Sequence, residues 1–288
     1  YIVNSLMKGQ SGLLDKTKFF KKCQAQGIPK KEAEEYIKLY LEKGKYIQLD
    51  NNPTQEVNLD EKIYKIIDSK AKELNFHPDT IEKVVRLSLI LNDLSKNKLI
   101  SEKFVFYGGT AINLIYSNLP RLSVDIDLQY IGSPDLEEMQ KDQKTLRKEF
   151  DSYLKTLKGY KIEKTTRENK TSDNYKLYYN LRKKGVNYIK LDLNYVDRTN
   201  ILPIDVKQIK TPFFNKTIRF QTLKKEELYA RKMGALLERS KTRDIFDMSQ
   251  VEFKNINLFR KCVIAQCLMH NIPISKLESF PIPKVTQK

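Results

Sequence analysis

Two neighbouring stretches decide the fold: Phe104-Val105-Phe106-Tyr107-Gly108-Gly109-Thr110-Ala111-Ile112-Asn113-Leu114-Ile115-Tyr116, and then Arg121-Leu122-Ser123-Val124-Asp125-Ile126-Asp127-Leu128. The first four residues form a short apolar run that predicts a buried strand. Two glycines follow, then an apolar helix from Ala111 to Tyr116. A strand that runs through Gly108-Gly109 into a helix presents bare backbone N–H groups at the helix start. That suits a phosphate, and the Thr110 hydroxyl can add a donor. A tight turn with no ligand would use the same glycines. Val124 to Ile131 alternates as a second strand. Residues two apart on a strand point the same way, so Asp125 and Asp127 share one face while Ile126 faces the core. Two carboxylates this close repel unless a cation joins them, and oxygen donors at this spacing suit Mg²⁺. An exposed acidic pair on an edge strand is the alternative.

Downstream, Ser133-Pro134 ends the strand before a long charged helix at about 135–157. Tyr160–Thr166, Tyr175–Leu181, Tyr188–Val196 and Lys216–Phe220 read as further strands. In Tyr188–Tyr195, alternation places Ile189, Leu191 and Leu193 on a buried face and Lys190, Asp192 and Asn194 on the other. An aspartate flanked by buried leucines is unfavourable unless paired or metal-bound. Asp192 is therefore the candidate third metal ligand, able to orient or deprotonate an attacking hydroxyl. Two Mg²⁺ ions ~3.5–4 Å apart would then clamp the attacking and leaving oxygens.

Upstream, residues 60–98 read as helices, with Ile63, Ile66, Ile67 and Ala71 on one stripe. Ile81 to Leu94 is apolar nearly all round, as a buried helix is. His77-Pro78-Asp79-Thr80 supplies the break and the cap between them. Residues 12–48 read as helix, turn, helix and strand, like a small winged-helix module, with Asn51-Asn52-Pro53 as the linker. From the 220s the chain returns to helix, and Pro273, Pro281 and Pro283 mark a loose tail. The class is α+β: a small helical module over 1–56, a mixed-sheet core over 57–222 and a helical region over 223–288.

Composition narrows the chemistry. Two histidines, His77 and His270, leave little scope for a zinc site or for histidine-based catalysis, and His77 reads as structural. Three cysteines make no disulfide framework, and Cys262 and Cys267 read as core fillers. No apolar run approaches the ~18 residues of a membrane helix and no signal peptide opens the chain, so a cytoplasmic protein is expected. Tyr1 is not an initiator methionine, so a few residues are expected to be missing. The net charge is +17, of which residues 136–288 hold +15. Such a block attracts phosphate-rich partners, and a solvated lysine-rich surface would have the same composition. The Arg182-Lys183-Lys184 turn is a candidate RNA contact.

The two opening stretches resemble the AbiEii/AbiGii toxin family, a branch of the nucleotidyltransferase superfamily with the DNA polymerase β-like fold. A second block agrees: Glu227-Leu228, Lys232, Ala235-Leu236-Leu237-Glu238-Arg239 and Arg243-Asp244-Ile245-Phe246-Asp247-Met248. The resemblance covers about residues 80–250. It implies a mixed sheet with flanking helices. Gly108, Gly109 and Thr110 would cradle an NTP triphosphate, with Thr110 in place of the serine common in the superfamily. Asp125 and Asp127 would bind Mg²⁺, Lys232 would contact nucleotide phosphates, and Asp244 or Asp247 would be the acid of the last motif. Read from the residues alone, Lys232, Leu236, Arg239 and Arg243 fall on one helical face that could grip a triphosphate or be solvated. Lys241-Thr242-Arg243-Asp244 reads as a turn, with Asp244 capping the next helix, paired with an arginine, or catalytic.

The expected activity is transfer of a nucleoside monophosphate from an NTP to an acceptor hydroxyl, with release of pyrophosphate. An RNA acceptor, above all the 3′ end of tRNA, fits the charge, and the resemblance implies a cognate antitoxin as partner. The alternatives are a protein or small-molecule acceptor, or a catalytically silent nucleic-acid-binding regulator.

Overall fold

A computed structural model describes residues 59–117, 123–165, 171–182, 185–209, 211, 218–239 and 241–278, together with Glu34. The chain divides into two units, Tyr1–Thr54 and Gln55–Lys288. Apart from Glu34, the module expected over 12–48 and its linker lie outside the described residues, as do Arg121, Leu122, Lys183, Lys184 and the Pro281/Pro283 tail.

The helices come first. In α1 (Glu61–Glu73) the Asp60 side chain caps the first turn, and Tyr64, Ile67 and Ala71 are buried. His77 caps α2 (Pro78–Lys96): its Nδ1 accepts from Asp79 N at 3.3 Å, and Pro78 occupies the first helical position, where its missing N–H costs nothing. Helix α2 buries seven apolar residues, each contributing roughly 1.5–3 kcal/mol. The short α3 (Lys98–Lys103) then delivers β1 (Phe104–Tyr107). A six-residue helix has too few turns for a periodic signal, and the sequence reading passes over it.

Strand β1 runs directly into α4 (Gly108–Ala111), which passes into a π-helical turn at Ile112–Tyr116. The helix starts on the first glycine, three residues earlier than the apolar pattern indicates. β2 (Asp125–Tyr130), α5 (Leu136–Thr156), β3 (Lys161–Lys164), β4 (Ser172–Asn180), β5 (Val186–Asn194), β6 (Asp205–Ile209) and β7 (Ile218–Thr222) follow. The strands form one mixed sheet in the order β3-β4-β5-β2-β1-β7-β6. Strands β2 and β5 are parallel, as are β1 and β7, and the other pairings are antiparallel. β6 goes unseen in the sequence reading because it is an edge strand with little apolar content: Val206 is exposed and only Ile209 is buried.

After the sheet come helices α6 (Lys225–Arg239), α7 (Thr242–Ser249), α8 (Ile256–Met269) and α9 (Ser275–Glu278). Cys262 and Cys267 are buried fillers on α8. Among the described residues no helix is long and apolar enough to cross a membrane.

Candidate active site

The parallel pairing of β2 with β5 brings together the acids that the sequence separates by more than sixty residues. Asp125 stands opposite Lys190 and Asp127 opposite Asp192. Ile126, Ile189, Leu191 and Leu193 take the other face and are fully buried, so the pleat leaves Asp125, Asp127, Lys190 and Asp192 no choice of side. They form one wall of a cavity of about 300 Å³.

The glycines make room for them. Gly108 has φ +79, in the left-handed region, and a Cβ there would lie 2.9 Å from Asp127 Cγ and closer still to its Oδ2. Both the backbone conformation and the carboxylate require glycine. Asp127 pays electrostatically for this crowding: burial first, then Asp192 and Asp125, push its carboxyl up to about 7. Burial also raises Asp192, with Lys190 pulling the other way. Lys190 Nζ is bonded to Asp192 Oδ2. Burial opposes the lysine's charge, but that bond and the neighbouring aspartates hold the ammonium above its ordinary range.

The facing wall is cationic. Arg231, Lys232 and Arg239 of α6 and Arg243 of α7 line the cavity. Arg239 and Arg243 are the more exposed of the four, placed to meet a polyanionic substrate. Lys232 is only 8% exposed, and its Nζ sits 2.8 Å from Asp244 Oδ1 and 2.7 Å from Asp247 Oδ2. Asp244 also accepts from Arg239 Nε at 2.8 Å and Nη2 at 3.3 Å. Burial opposes its ionisation, yet Arg239 and Lys232 hold it below the usual carboxylate range. Arg231 is fixed by four partners, Gln129 Oε1 at 2.6 Å, Glu227 Oε1 at 3.0 Å, Asp197 Oδ2 at 3.4 Å and the Thr199 carbonyl at 3.4 Å.

These placements refine the expected roles. Asp125, Asp127, Asp192, Gly108, Gly109, Lys232, Arg239 and Arg243 all border the cavity. Thr110 does not: it is fully buried, its hydroxyl without a hydrogen bond among the described residues, because a helix that begins at Gly108 turns its third residue inward. Asp244 and Asp247 lie behind the wall as counter-ions. Asp244 caps no helix, since Lys241 holds the N-cap position of α7 and Asp244 falls in its first turn. The single helical face drawn through Lys232, Arg239 and Arg243 is broken, because α6 ends at Arg239 and Arg243 arrives on α7. Arg182 is not a free cation: its Nη1 lies 2.9 Å from Asp68 Oδ2 and its Nη2 3.5 Å from Glu61 Oε2. Tyr107 and Arg231 line the cavity too, beyond the site residues expected from the sequence. Tyr107 is signalled by the last position of β1. Arg231 carries no signal, because all its partners but Glu227 come from distant segments.

The donor set fits a hard divalent cation. Asp125 and Asp127 present carboxylate oxygens on one strand face, and burial, with the charges of Asp192 and Asp125, raises the Asp127 carboxyl, a cost that a cation would relieve. Mg²⁺ takes one or two such carboxylates and completes its shell with water and substrate phosphates. Among the described residues no three His, Cys, Asp or Glu side chains are grouped to hold an ion; Asp192 gives its Oδ2 to Lys190 instead.

The glycine-led helix start, the paired acids and the cationic wall around one cavity are those of a nucleotidyltransferase. The chain matches the family model of the nucleotidyl transferase AbiEii toxin of Type IV toxin–antitoxin systems over residues 90–281, well over half its length, and it belongs to that family. Its fold is similar to that of MenT4, a nucleotidyltransferase toxin from Mycobacterium tuberculosis, with a TM-score of 0.54 and 16% identity over 76% of this chain and 77% of that one. JHP933 from Helicobacter pylori is more distant, at a TM-score of 0.41 and 16% identity over 73% of this chain and 85% of that one. No curated protein sequence matches the chain.

Proposed function

We propose that this toxin is a Mg²⁺-dependent enzyme that moves a nucleoside monophosphate from an NTP onto a hydroxyl of RNA, with the 3′ end of tRNA as acceptor. It acts in the cytoplasm under a cognate antitoxin. The observation that carries the reading is the juxtaposition of Asp127 and Asp192 across β2 and β5, beside Gly108 and facing Arg231, Arg239 and Arg243.

Each group has a role in that transfer. The backbone at Gly108-Gly109 approaches the triphosphate closely because no Cβ intervenes. Arg239 and Arg243, the two most accessible wall cations, hold the β- and γ-phosphates and the charge that grows on pyrophosphate as it leaves. The acceptor oxygen bonds to the α-phosphorus, the α–β bridging bond breaks, and the hydroxyl proton passes to Asp192, whose raised affinity for protons suits a base. Asp125 and Asp127 would hold Mg²⁺, which when bound neutralises phosphate charge and acidifies the acceptor hydroxyl.

The test is direct: the full chain is incubated with each NTP labelled at the α-phosphate, with Mg²⁺ and total RNA. Label from at least one NTP should enter RNA, and Asp127→Asn should abolish it. Label in protein or small molecules, with none in RNA, would refute the acceptor.

A further inference from the structure

The sheet face that carries the catalytic acids continues past them, away from the cationic wall. Register pairs Asn174 with Asp192, Lys176 with Lys190 and Tyr178 with Tyr188 across β4 and β5. Side chains two apart share a face, so these six rise together from the sheet. Lys83 reaches the same place from α2: its Nζ lies 4.9 Å from the centroid of the Tyr188 ring, and Lys176 Nζ lies 5.2 Å from it.

Neither ammonium forms an ion pair with a carboxylate among the described residues; both rest on that one ring. For Lys83 the cost is visible, because burial lowers its pKa and Asp125, acting at longer range, only partly opposes this. A half-buried cation without a bonded counter-ion is stabilised when an anion arrives. Glu163, paired with Lys176 across β3 and β4, accepts from the Tyr178 hydroxyl at 2.8 Å.

The strand order sets the direction of approach. Gly108-Gly109 follow β1, and Lys232, Arg239 and Arg243 follow β7; both strands lie on one side of β2, while β5 and β4 lie on the other. Phosphoryl transfer places attacking and leaving oxygens roughly in line through the phosphorus. With pyrophosphate leaving toward the glycines and arginines, the acceptor hydroxyl must come from the β5–β4 side, past Asp192. The geometry points to Lys83 and Lys176 on the Tyr188 ring, with Lys190 opposite Lys176 on the same sheet face, as the acceptor subsite, which holds the backbone phosphates of the RNA nucleotides that precede the reactive hydroxyl. This rests on the RNA-acceptor reading above and adds where the strand lies.

A Lys83→Gln/Lys176→Gln double variant of the full chain tests it, with a 5′-fluorescein RNA hairpin bearing a single-stranded 3′ tail as probe. Anisotropy titrations should show roughly tenfold weaker RNA binding, and a plot of log K against log salt less steep by about 1.4, since each lost single-strand contact removes about 0.7. The KM for RNA should rise while kcat at saturating RNA, NTP affinity and Tm stay at wild-type values. Lys83→Arg/Lys176→Arg should retain binding. If the Gln variant binds and modifies RNA like wild type, the subsite is wrong and the RNA-acceptor function stands. If wild type neither binds nor labels RNA, the function fails and takes the subsite with it. Loss of labelling on a protein acceptor instead would assign the strip to another partner and overturn the RNA proposal.

Discussion

Replacing Asp127 with asparagine should stabilise the metal-free protein at high pH while destroying its activity. Burial and the charges of Asp192 and Asp125 raise its carboxyl from an ordinary 3.8 to about 7. Below about pH 4 the group is protonated in folded and unfolded chains alike and contributes nothing. Between about pH 4 and 7 the unfolded chain releases its proton first, so stability falls as pH rises; above 7 the whole penalty is present. The full rise corresponds to about 4 kcal/mol. Asp127 faces a cavity that admits water, so a gain of about 1–3 kcal/mol is expected, or roughly 3–10 °C in Tm for a unit of this size. Asparagine keeps the shape beside Gly108 and removes the charge. Thermal melts with EDTA from pH 4.5 to 8.5 should show the variant pulling ahead of wild type as pH rises, with no gap at the acid end. Added Mg²⁺ should raise the wild-type Tm at pH 8 and leave the variant's unmoved. Parallel pH curves, or a variant less stable at pH 8, would refute the picture of a crowded acid awaiting a cation.

Gly108→Ala should leave a folded protein with little transfer activity, since a Cβ would press on Asp127 at 2.9 Å from Cγ from a backbone held at φ +79; circular dichroism with single-turnover kinetics checks this, and near-wild-type rates would count against the close approach. Lys232→Met leaves Asp247 without its ammonium and Asp244 with Arg239 as its close partner, so a loss of about 3–5 kcal/mol is expected in urea denaturation, much of it recovered by adding Asp247→Asn. A fully stable Lys232→Met would show that the ion pairs are dispensable. Lys190→Ala removes the counter-charge that lowers Asp192, so the acid limb of the pH–rate profile should move to higher pH; an unmoved limb would mean that Asp192 does not take the proton.

Much of this site is legible in the primary structure for one reason: strand alternation is a local rule. Asp125-Ile126-Asp127 and Lys190-Leu191-Asp192 each state which side chains face the core, and every apolar residue among them is buried as alternation requires. Gly108 is legible as a close-approach position, although what approaches it proves to be an aspartate of the same protein. Lys232 is misleading, because helical spacing gives a face and not its surroundings. Whether that face meets water or two carboxylates depends on α7 folding back over α6.

The sequence by itself determines the α+β class, six of the seven strands along the chain, the pair of acids on one strand face and the family, because these rest on short-range periodicity and on motifs whose residues adjoin. Tertiary structure decides the rest. The parallel register sets Asp127 against Asp192; Gln129, Asp197 and Glu227 lock Arg231 into the cavity; and Thr110, Asp244 and Asp247 move from the front of the site to its support. The physical reason is that a charged or polar side chain takes its role from the groups around it, and those groups are brought in by segments that chain order leaves far apart.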